Sequence, residues 1–265
     1  MSATAASRAR IACLAGFACL ATLPVGFAPA PALAAAETAS AARFDELWSK
    51  RDDPAALAEL KQLVDRGLVQ APADYGLLWR AAAWHFWTSD DPARSKDERK
   101  TLGKAGWDLA ERAVAANPQG AEGHFFAAGT MGNYSLAIGI LRALTQRIEG
   151  KFIAHLSEAE RLAPQIAHGA IPVAWGRYHA QLPWPKYDKK KATAQYQRAL
   201  VLNPANLRAR VYFAELLLDE RDPGQAKRLL DEVAAAPVGR YDAPEERRCK
   251  LLGAALMPKV VAALK

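Results

Sequence analysis

Long apolar runs are missing from this sequence, and it has only three cysteines in 265 residues. A helix that spans a bilayer needs about 20 apolar residues. The run at 11–23 is too short and is followed by prolines, so we expect no membrane-spanning segment. Cys13 and Cys19 lie in that run, which leaves Cys249 as the one cysteine of the remaining chain. This excludes an intrachain disulfide there and favours a buried, unreactive thiol, with an intermolecular disulfide as the alternative.

Catalytic and cofactor-binding signatures are also missing. The patterns H-E-x-x-H, C-x-x-C, G-x-S-x-G, G-x-G-x-x-G and G-x-x-x-x-G-K do not occur. Of the five histidines, the two that follow each other most closely are His168 and His179. On one helix they would lie about 16 Å apart along the axis, too far to share a metal ion. We therefore expect no enzymatic activity, no metal and no cofactor.

The net charge of +7 at pH 7 is spread over the chain, with acidic and basic residues interspersed. The basic run "KYDKKK" at 186–191 is typical of a solvent-exposed helix start and not of a surface that follows nucleic-acid phosphates. The sequence thus favours no nucleic-acid partner.

The N-terminus has the features of a secretory signal. Arg8 and Arg10 precede the apolar run, and the small residues Ala32 and Ala34 stand at positions −3 and −1 of a cleavage site. We interpret 1–34 as a signal peptide that is removed and 35–265 as a single exported domain. Because neither Cys13 nor Cys19 follows a lipidation box, a periplasmic protein without a lipid anchor is expected.

An internal repeat organises the rest of the chain. The stretches "KATAQYQRALVLNP" and "GQAKRLLDEVAAAP" place a small residue, a large apolar residue and a further small or apolar residue at matching positions 34 residues apart. The matching pairs are Ala192 and Ala226, Tyr196 and Leu230, and Ala199 and Val233. This period and residue order are typical of the second helix of a tetratricopeptide repeat.

Prolines mark the ends of the second helices. Pro72, Pro118, Pro164, Pro204 and Pro237 are separated by 46, 46, 40 and 33 residues, so the early units carry insertions. Of these insertions, "NYSLAIGILRAL" at 133–144 has apolar residues at helical spacing and predicts an extension of a helix. "SDDPARSKDERK" at 89–100 is polar and predicts a surface loop or a helix start.

These patterns predict an all-α fold, with no stretch that indicates a β-strand. We expect about ten to twelve helices, stacked as four or five degenerate tetratricopeptide-like hairpins in a right-handed superhelix, an α-solenoid. Each hairpin buries its apolar face only against its neighbours. The first helix of each hairpin should line the inner, concave wall, where such proteins bind their partners.

Candidate binding residues follow from the small central residue of each first helix. Positions one, four and five residues further on should face the groove. With neighbouring polar residues added, the candidates are Trp84, Trp87, Asn133, Tyr134, Trp175, Arg177, Tyr178, His179 and Glu215. A wall rich in aromatic side chains suits an apolar ligand or an inserted peptide. In the alternative interpretation the tryptophans pack between hairpins, Arg177 pairs with a nearby acid, and Asn133 and Tyr134 belong to a helix break.

Residues 168–237 resemble the T-component family associated with TRAP transporters. The resemblance rests on the stretches "AWGRYHA", "LPWP", "DKKKA" and "ALVLNP", and on a helix with the core Phe213-Ala214-Glu215. It implies an exported accessory protein that docks to a periplasmic solute-binding protein and holds or passes a hydrophobic small molecule. The alternative is a general scaffold that captures peptide segments or partner proteins in the cell envelope. A closed pocket would favour the first hypothesis and an open concave face the second.

Overall fold

The computed structural model describes residues 40–265, in which all regular secondary structure is helical. The proposed signal peptide lies outside the described residues. The helices are α1 (residues 40–48), α2 (Pro54–Gln70), α3 (Tyr75–Ser89), α4 (Lys96–Ala116), α5 (Ala121–Ile138), α6 (Ile140–Thr145), α7 (Ile148–Leu162), α8 (Ile166–Gln181), α9 (Lys189–Leu202), α10 (Leu207–Asp219), α11 (Pro223–Ala235) and α12 (Ala243–Ala263).

The helices pair into hairpins that stack in chain order. The pairs α3/α4, α5/α7, α8/α9 and α10/α11 pack directly, and α12 packs on both α10 and α11. Helices α1 and α2 are joined by the Arg43 guanidinium, which donates to Glu59 at 3.0 and 2.6 Å. Each predicted marker proline comes two residues after the end of a second helix. The predicted solenoid of tetratricopeptide-like hairpins is therefore confirmed.

Polar side chains set the helix starts. Ser95 and Glu98 form a reciprocal capping box at the start of α4, so the polar insertion at 89–100 is a turn followed by a helix start, as predicted. An N-cap side chain that accepts a backbone N–H also precedes α2, α3, α9, α10, α11 and α12, at Asp53, Asp74, Asp188, Asn206, Asp222 and Asp242. Such a cap contributes about 1 kcal/mol by pairing a backbone donor that the helix leaves free.

The repeat residues lie at the contacts between helices. Ala192, Tyr196 and Ala199 are fully buried on α9. The ring of Tyr196 lies against the backbone of Gly176 on α8, where an added Cβ would come within 2.5 Å of the tyrosine Cε1 atom. A large residue on the second helix thus fills space that a glycine leaves open on the first.

The insertion after α5 is helical, but our prediction of one extended helix was wrong. Helix α5 ends at Ile138, because Gly139 takes a φ of 92°, and the six-residue α6 follows. A second break comes at Arg147, with a φ of 56°, before α7 begins. The left-handed region is easily adopted by glycine and costs other residues energy, so Gly139 is a natural place for the chain to turn. As a result α6 lies beside α5 and α7 as a separate short helix.

Apolar side chains form two main cores. The N-terminal core includes Phe44, Leu60, Met131, Leu156 and Ile171, and extends from α1 to α8. The C-terminal core lies between α10, α11 and α12 and consists of Leu207, Val211, Ala214, Leu217, Ala226, Leu230, Val233, Cys249 and Val260. Cys249 is buried as predicted, and this burial raises the pKa of its thiol well above the ordinary value.

The stretch at 174–188 divides into the end of one helix and the link to the next. "AWGRYHAQ" forms the C-terminal half of α8, which ends at Gln181, and "LPWPKYD" links it to α9. Trp184 in this corner is 88% exposed. It belongs to the turn and not to the inner wall.

Candidate functional site

A cavity of about 290 Å³ lies on the inner side of the solenoid. Its walls come from the first helices of the hairpins, α3, α5, α8 and α10, together with residues at the ends of α1 and α12 and from α6 and α7. All described residues belong to one compact unit, so these elements form a single site. Side chains from these helices therefore meet around one cavity at the inner wall of the stack.

Most of the lining is apolar. Three phenylalanines from α3 and α5, Phe86, Phe125 and Phe126, pack edge-on or tilted against one another along one wall. Helices α5 to α8 provide the remaining apolar lining, which includes Leu136, Ile140, Ala143, Leu144, Ile148, Phe152, Leu156, Val173 and Leu182. The break at Gly139 is what turns Ile140 and Leu144 towards this space. Apolar walls with a few placed polar groups are typical of small-molecule sites.

Two glycines on α5 shape the cavity. A Cβ on Gly129 would come within 2.8 Å of the Phe86 ring, so this glycine lets the ring lie against the helix backbone. At Gly132 the nearest atom to an added Cβ is 3.8 Å away, on Phe152. Gly132 thus faces open space, and a larger side chain there would extend into the cavity.

A group of ion pairs centred on Arg208 borders the cavity. The Arg208 guanidinium contacts Asp90 at 2.8 Å and holds both carboxylate oxygens of Glu245, at 2.5 and 3.0 Å. It also donates to the Tyr212 hydroxyl at 2.9 Å. These residues come from the end of α3, from α10 and from α12, so the pairs link both cores. We call Arg208, Asp90 and Glu245, with Arg51 and Asp242, the buried ion cluster.

The second half of the buried ion cluster is built around Trp87. Arg51 lies over the rings of both Trp48 and Trp87, 4.4 Å from each centroid, and pairs with Asp242 at 2.6 Å. The Trp87 indole N–H donates to the Arg51 carbonyl, and Arg248 donates to the Trp87 carbonyl at 2.8 Å. Cation–aromatic contacts of this kind strengthen when water is excluded.

The charges of Arg208 and Glu245 hold each other in the ionised form. Burial by itself would raise the pKa of Glu245, but the charge and hydrogen bonds of Arg208 outweigh it and keep this pKa below the ordinary value. Burial likewise opposes the charge on Arg208, while Asp90 and Glu245 raise its pKa well above normal. Arg208 therefore stays a cation and Glu245 an anion.

Every charged side chain on the cavity wall has a partner of opposite sign. Arg177 pairs with Glu215 at 2.7 Å, and Glu149 at the other side of the cavity pairs with Lys186. The remaining lining charges, Arg51, Asp90, Arg208, Asp242 and Glu245, belong to the buried ion cluster. The wall therefore offers a ligand no unpaired charge.

Four of the nine candidate residues line the cavity. They are Trp87, Asn133, Arg177 and Tyr178. Asn133 donates to the Phe86 carbonyl and to the Ser89 hydroxyl, at 3.1 and 2.9 Å. Tyr178 donates to Glu149 at 2.8 Å, and Arg177 lies 4.4 Å above the Tyr212 ring. Each of the four is held by neighbours within the protein.

The other five candidates lie outside the lining, and each contacts a neighbouring residue of the protein. The Trp84 indole donates to the Leu57 carbonyl of α2, and the Trp175 indole donates to Glu160 of α7. Both tryptophans stand one residue after the small central residue, and this position faces the preceding hairpin. Tyr134 packs on Trp107, His179 stacks on Trp175, and Glu215 serves as the partner of Arg177.

Sequence reasoning missed the buried ion cluster. Asp90 stands seven residues after Ala83, so a step of two helical turns along the same face would have reached it. Arg51, Arg208 and Glu245 lie near helix ends in three separate parts of the chain, and nothing in their local sequence indicates that they meet. Only the curvature of the stack brings them together.

Comparison with known proteins identifies the family. The family model described as regulator of microtubule dynamics protein 1-3 matches residues 41–179, more than half of the chain. The chain belongs to this family. The matched region comprises most of α1 and nearly all of the helices up to α8, and so covers the apolar part of the cavity. No curated protein matches the chain.

A solved structure supports the same fold. The crystal structure of TTC0263, a thermophilic TPR protein from Thermus thermophilus, aligns with a TM-score of 0.59 and 20% identity, over 86% of this chain and 98% of that one. At this identity the likeness shows the fold alone. Both findings support a tetratricopeptide-like helical family, and neither names a TRAP T-component.

Two further observations limit the chemistry of the described part of the chain. In residues 40–265 no three histidine, cysteine, aspartate or glutamate side chains are grouped so that they could hold a metal ion. No helix in this range combines the length and apolar character that crossing a membrane requires.

Proposed function

We propose that this protein is a non-catalytic binding protein that holds an uncharged, elongated apolar ligand in its inner cavity. The observation that carries the proposal is the apolar lining in which each charge is already paired. The tetratricopeptide-like scaffold is of a kind that generally contacts protein partners.

The chemistry of the wall selects against a charged ligand. A carboxylate or ammonium group that leaves water must find a counter-charge, or its burial is strongly unfavourable. Arg177, Arg208 and Arg51 are each engaged by a carboxylate, so binding an anion would require breaking an existing pair. An apolar chain gains about 25 cal/mol for each Å² removed from water and needs no such exchange.

Export and docking complete the proposal. The N-terminal signal pattern supports a periplasmic location, and the resemblance of residues 168–237 to the TRAP T-component supports docking to a periplasmic solute-binding protein. The family model that matches the chain is described as regulator of microtubule dynamics protein 1-3. The alternative is a general scaffold for peptide segments. The largely apolar lining of the cavity favours the ligand-holding function.

The cavity can be tested with the uncharged dye Nile red and the full chain. We expect fluorescence enhancement on binding to the wild-type protein and at least tenfold weaker binding to Gly132→Leu, whose side chain enters the cavity. Gly150→Leu is the matched control, because Gly150 has no atom within 4 Å of an added Cβ. Equal binding by all three proteins would refute the cavity as the site.

Competition tests the charge class of the ligand. Decan-1-ol should displace Nile red at least ten times more effectively than decanoate at pH 8, because only the carboxylate carries a charge into the cavity. Equal displacement by both would contradict an uncharged ligand.

A separate experiment tests the proposed protein partner. Gentle isolation from the native source should recover a solute-binding protein, and recovery of none would count against docking.

A further inference from the structure

Helix α12 stacks on the preceding hairpin in the way that a first helix does. It packs on α10 and α11 as each earlier first helix packs on the preceding hairpin. Its buried face carries Cys249, Gly253 and Val260 into the C-terminal core, with Leu252 and Leu256 packed beside them. Within the described residues no second helix covers the opposite face.

The uncovered face of α12 is apolar. Four exposed residues lie along it at the spacing i, i+4, i+7 and i+11, namely Leu251, Ala255, Pro258 and Ala262. The side chain of Leu251 is 73% exposed. Ala254 and Val261 extend the same exposed face. We call these six residues the α12 stripe. A helix face that meets water is normally polar. This face instead has the composition of a helix contact.

The α12 stripe is bordered by positive charge. Lys250 and Lys259 lie on its two sides, and Arg247 lies at its N-terminal end. Residues 247–265 contain five basic residues and no acidic one. Arg247 pairs with Asp52, and Lys250 donates to the Ala234 carbonyl at 2.7 Å. Neither Lys250 nor Lys259 forms an ion pair with another described residue. A partner that covers the stripe would therefore meet two basic edges.

We propose that the α12 stripe docks an amphipathic helix of a partner protein, apolar on one face and acidic along its edges. This helix would lie against α12 as the second helix of a hairpin lies against its first. The proposal goes beyond ligand binding in the cavity, since the stripe lies on the opposite face of α12 from the C-terminal core.

Residue size and charge favour a helix over other occupants. The alanines and Pro258 allow two helix backbones to approach closely, as ridges into grooves require. A second copy would place basic edges against basic edges. Membrane-surface helices usually insert bulky residues such as Trp, Phe and Leu, and the α12 stripe has only Leu251 of this kind.

The test measures binding of two designed helical peptides to the full-chain protein by fluorescence anisotropy. Both peptides have the same leucine–alanine face, and their edges carry either glutamate or lysine. We expect the glutamate peptide to bind at least tenfold more tightly than the lysine peptide, with a preference that shrinks at high salt. Leu251→Glu should weaken its binding at least tenfold.

Two further variants sharpen the result. Lys250→Glu combined with Lys259→Glu should reverse the preference in favour of the lysine peptide. Val69→Glu is the matched control, since Val69 is similarly exposed but lies on α2, and it should bind like the wild type. Circular dichroism and thermal unfolding establish that each variant is folded before binding is compared.

Other outcomes would overturn the proposal. These are equal binding of both peptides, binding that Leu251→Glu leaves unchanged, and a dimer in sedimentation velocity that Leu251→Glu dissociates. Co-sedimentation with phosphatidylglycerol vesicles that depends on Leu251, in the absence of peptide binding, would assign the stripe to a membrane surface instead.

Discussion

The N-terminal and C-terminal cores contact each other in two regions of different chemistry, which we call the apolar seam and the ionic seam. The apolar seam lies where α8, α9 and α10 pack, with Val173, Ala199 and Ala209 in one cluster and Ala192, Tyr196 and Leu216 in another. The ionic seam lies across the cavity, where the buried ion cluster and the Arg247–Asp52 pair join α10 and α12 to the α1–α2 corner and the end of α3.

The two seams also differ in what they require. The apolar seam joins helices that follow one another in the chain, and complementary shape is sufficient for it. The ionic seam joins residues such as Arg51 and Asp242 that are 191 positions apart. A buried ion pair adds little net stability over apolar packing, because desolvation offsets the attraction, but removal of one partner is costly. The ionic seam is therefore the more sensitive of the two to single changes and to pH.

The largest expected effect is the loss of the central cation of the ionic seam. Arg208→Met leaves Asp90 and Glu245 in a low-dielectric environment without their counter-charge. We expect a loss of about 3–5 kcal/mol in the free energy of unfolding, measured by urea titration. A loss under about 1 kcal/mol would mean that water reaches these carboxylates and that they are not in a low-dielectric environment.

A smaller loss is expected at the apolar seam. Gly176→Ala places a Cβ 2.5 Å from the Tyr196 ring, and Tyr196 is fully buried and cannot move aside. Overpacking of this kind costs about 1–3 kcal/mol. Gly150→Ala, with open space around the Cβ, should instead stabilise the protein by about 0.5–1 kcal/mol through helix propensity. A similar change for both variants would show that the Gly176 contact is not tight.

Acid should weaken the ionic seam and not the apolar one. The folded-state pKa of Glu245 is held below its ordinary value, so the unfolded chain takes up the proton first as pH falls. Stability from this pair is present above the ordinary glutamate pKa and is lost as pH falls towards the folded-state value. Thermal unfolding between pH 6 and pH 3 should show this loss in wild type and Gly176→Ala, and a shallower dependence in Arg208→Met. Parallel curves for all three would assign the acid sensitivity elsewhere.

The smallest effect is expected at the rim of the same seam. Arg247 and Asp52 form an ion pair, but the arginine side chain is 47% exposed. Exposed pairs contribute about 0–1 kcal/mol, so Arg247→Met should cost no more than that. The difference from Arg208→Met, measured under the same conditions, isolates the effect of burial on one kind of contact. Equal losses would contradict that explanation.

Much of the fold could be predicted, because the signals are local. Ala192, Tyr196 and Ala199 recur 34 residues later, and such spacing determines which helix faces are buried. The separate helix α6 was harder to predict. The apolar residues keep a continuous helical spacing through this region, and that spacing does not show that the chain turns at Gly139. Of the candidate site, Trp87 and Tyr178 were reached by counting along helices, whereas Trp84 and Trp175 face a neighbouring hairpin that counting along one helix does not include.

The sequence by itself determined the helices, their caps and their order, because each depends on residues within one or two turns. Tertiary structure alone decided that Arg51, Asp90, Arg208 and Glu245 meet, and that their charges cancel around an apolar cavity. The curvature of the stack is the sum of small rotations at every contact between hairpins. No local sequence pattern predicts this total curvature. The same holds for Leu251, whose exposure became apparent only once the packing of α12 on α10 and α11 was known.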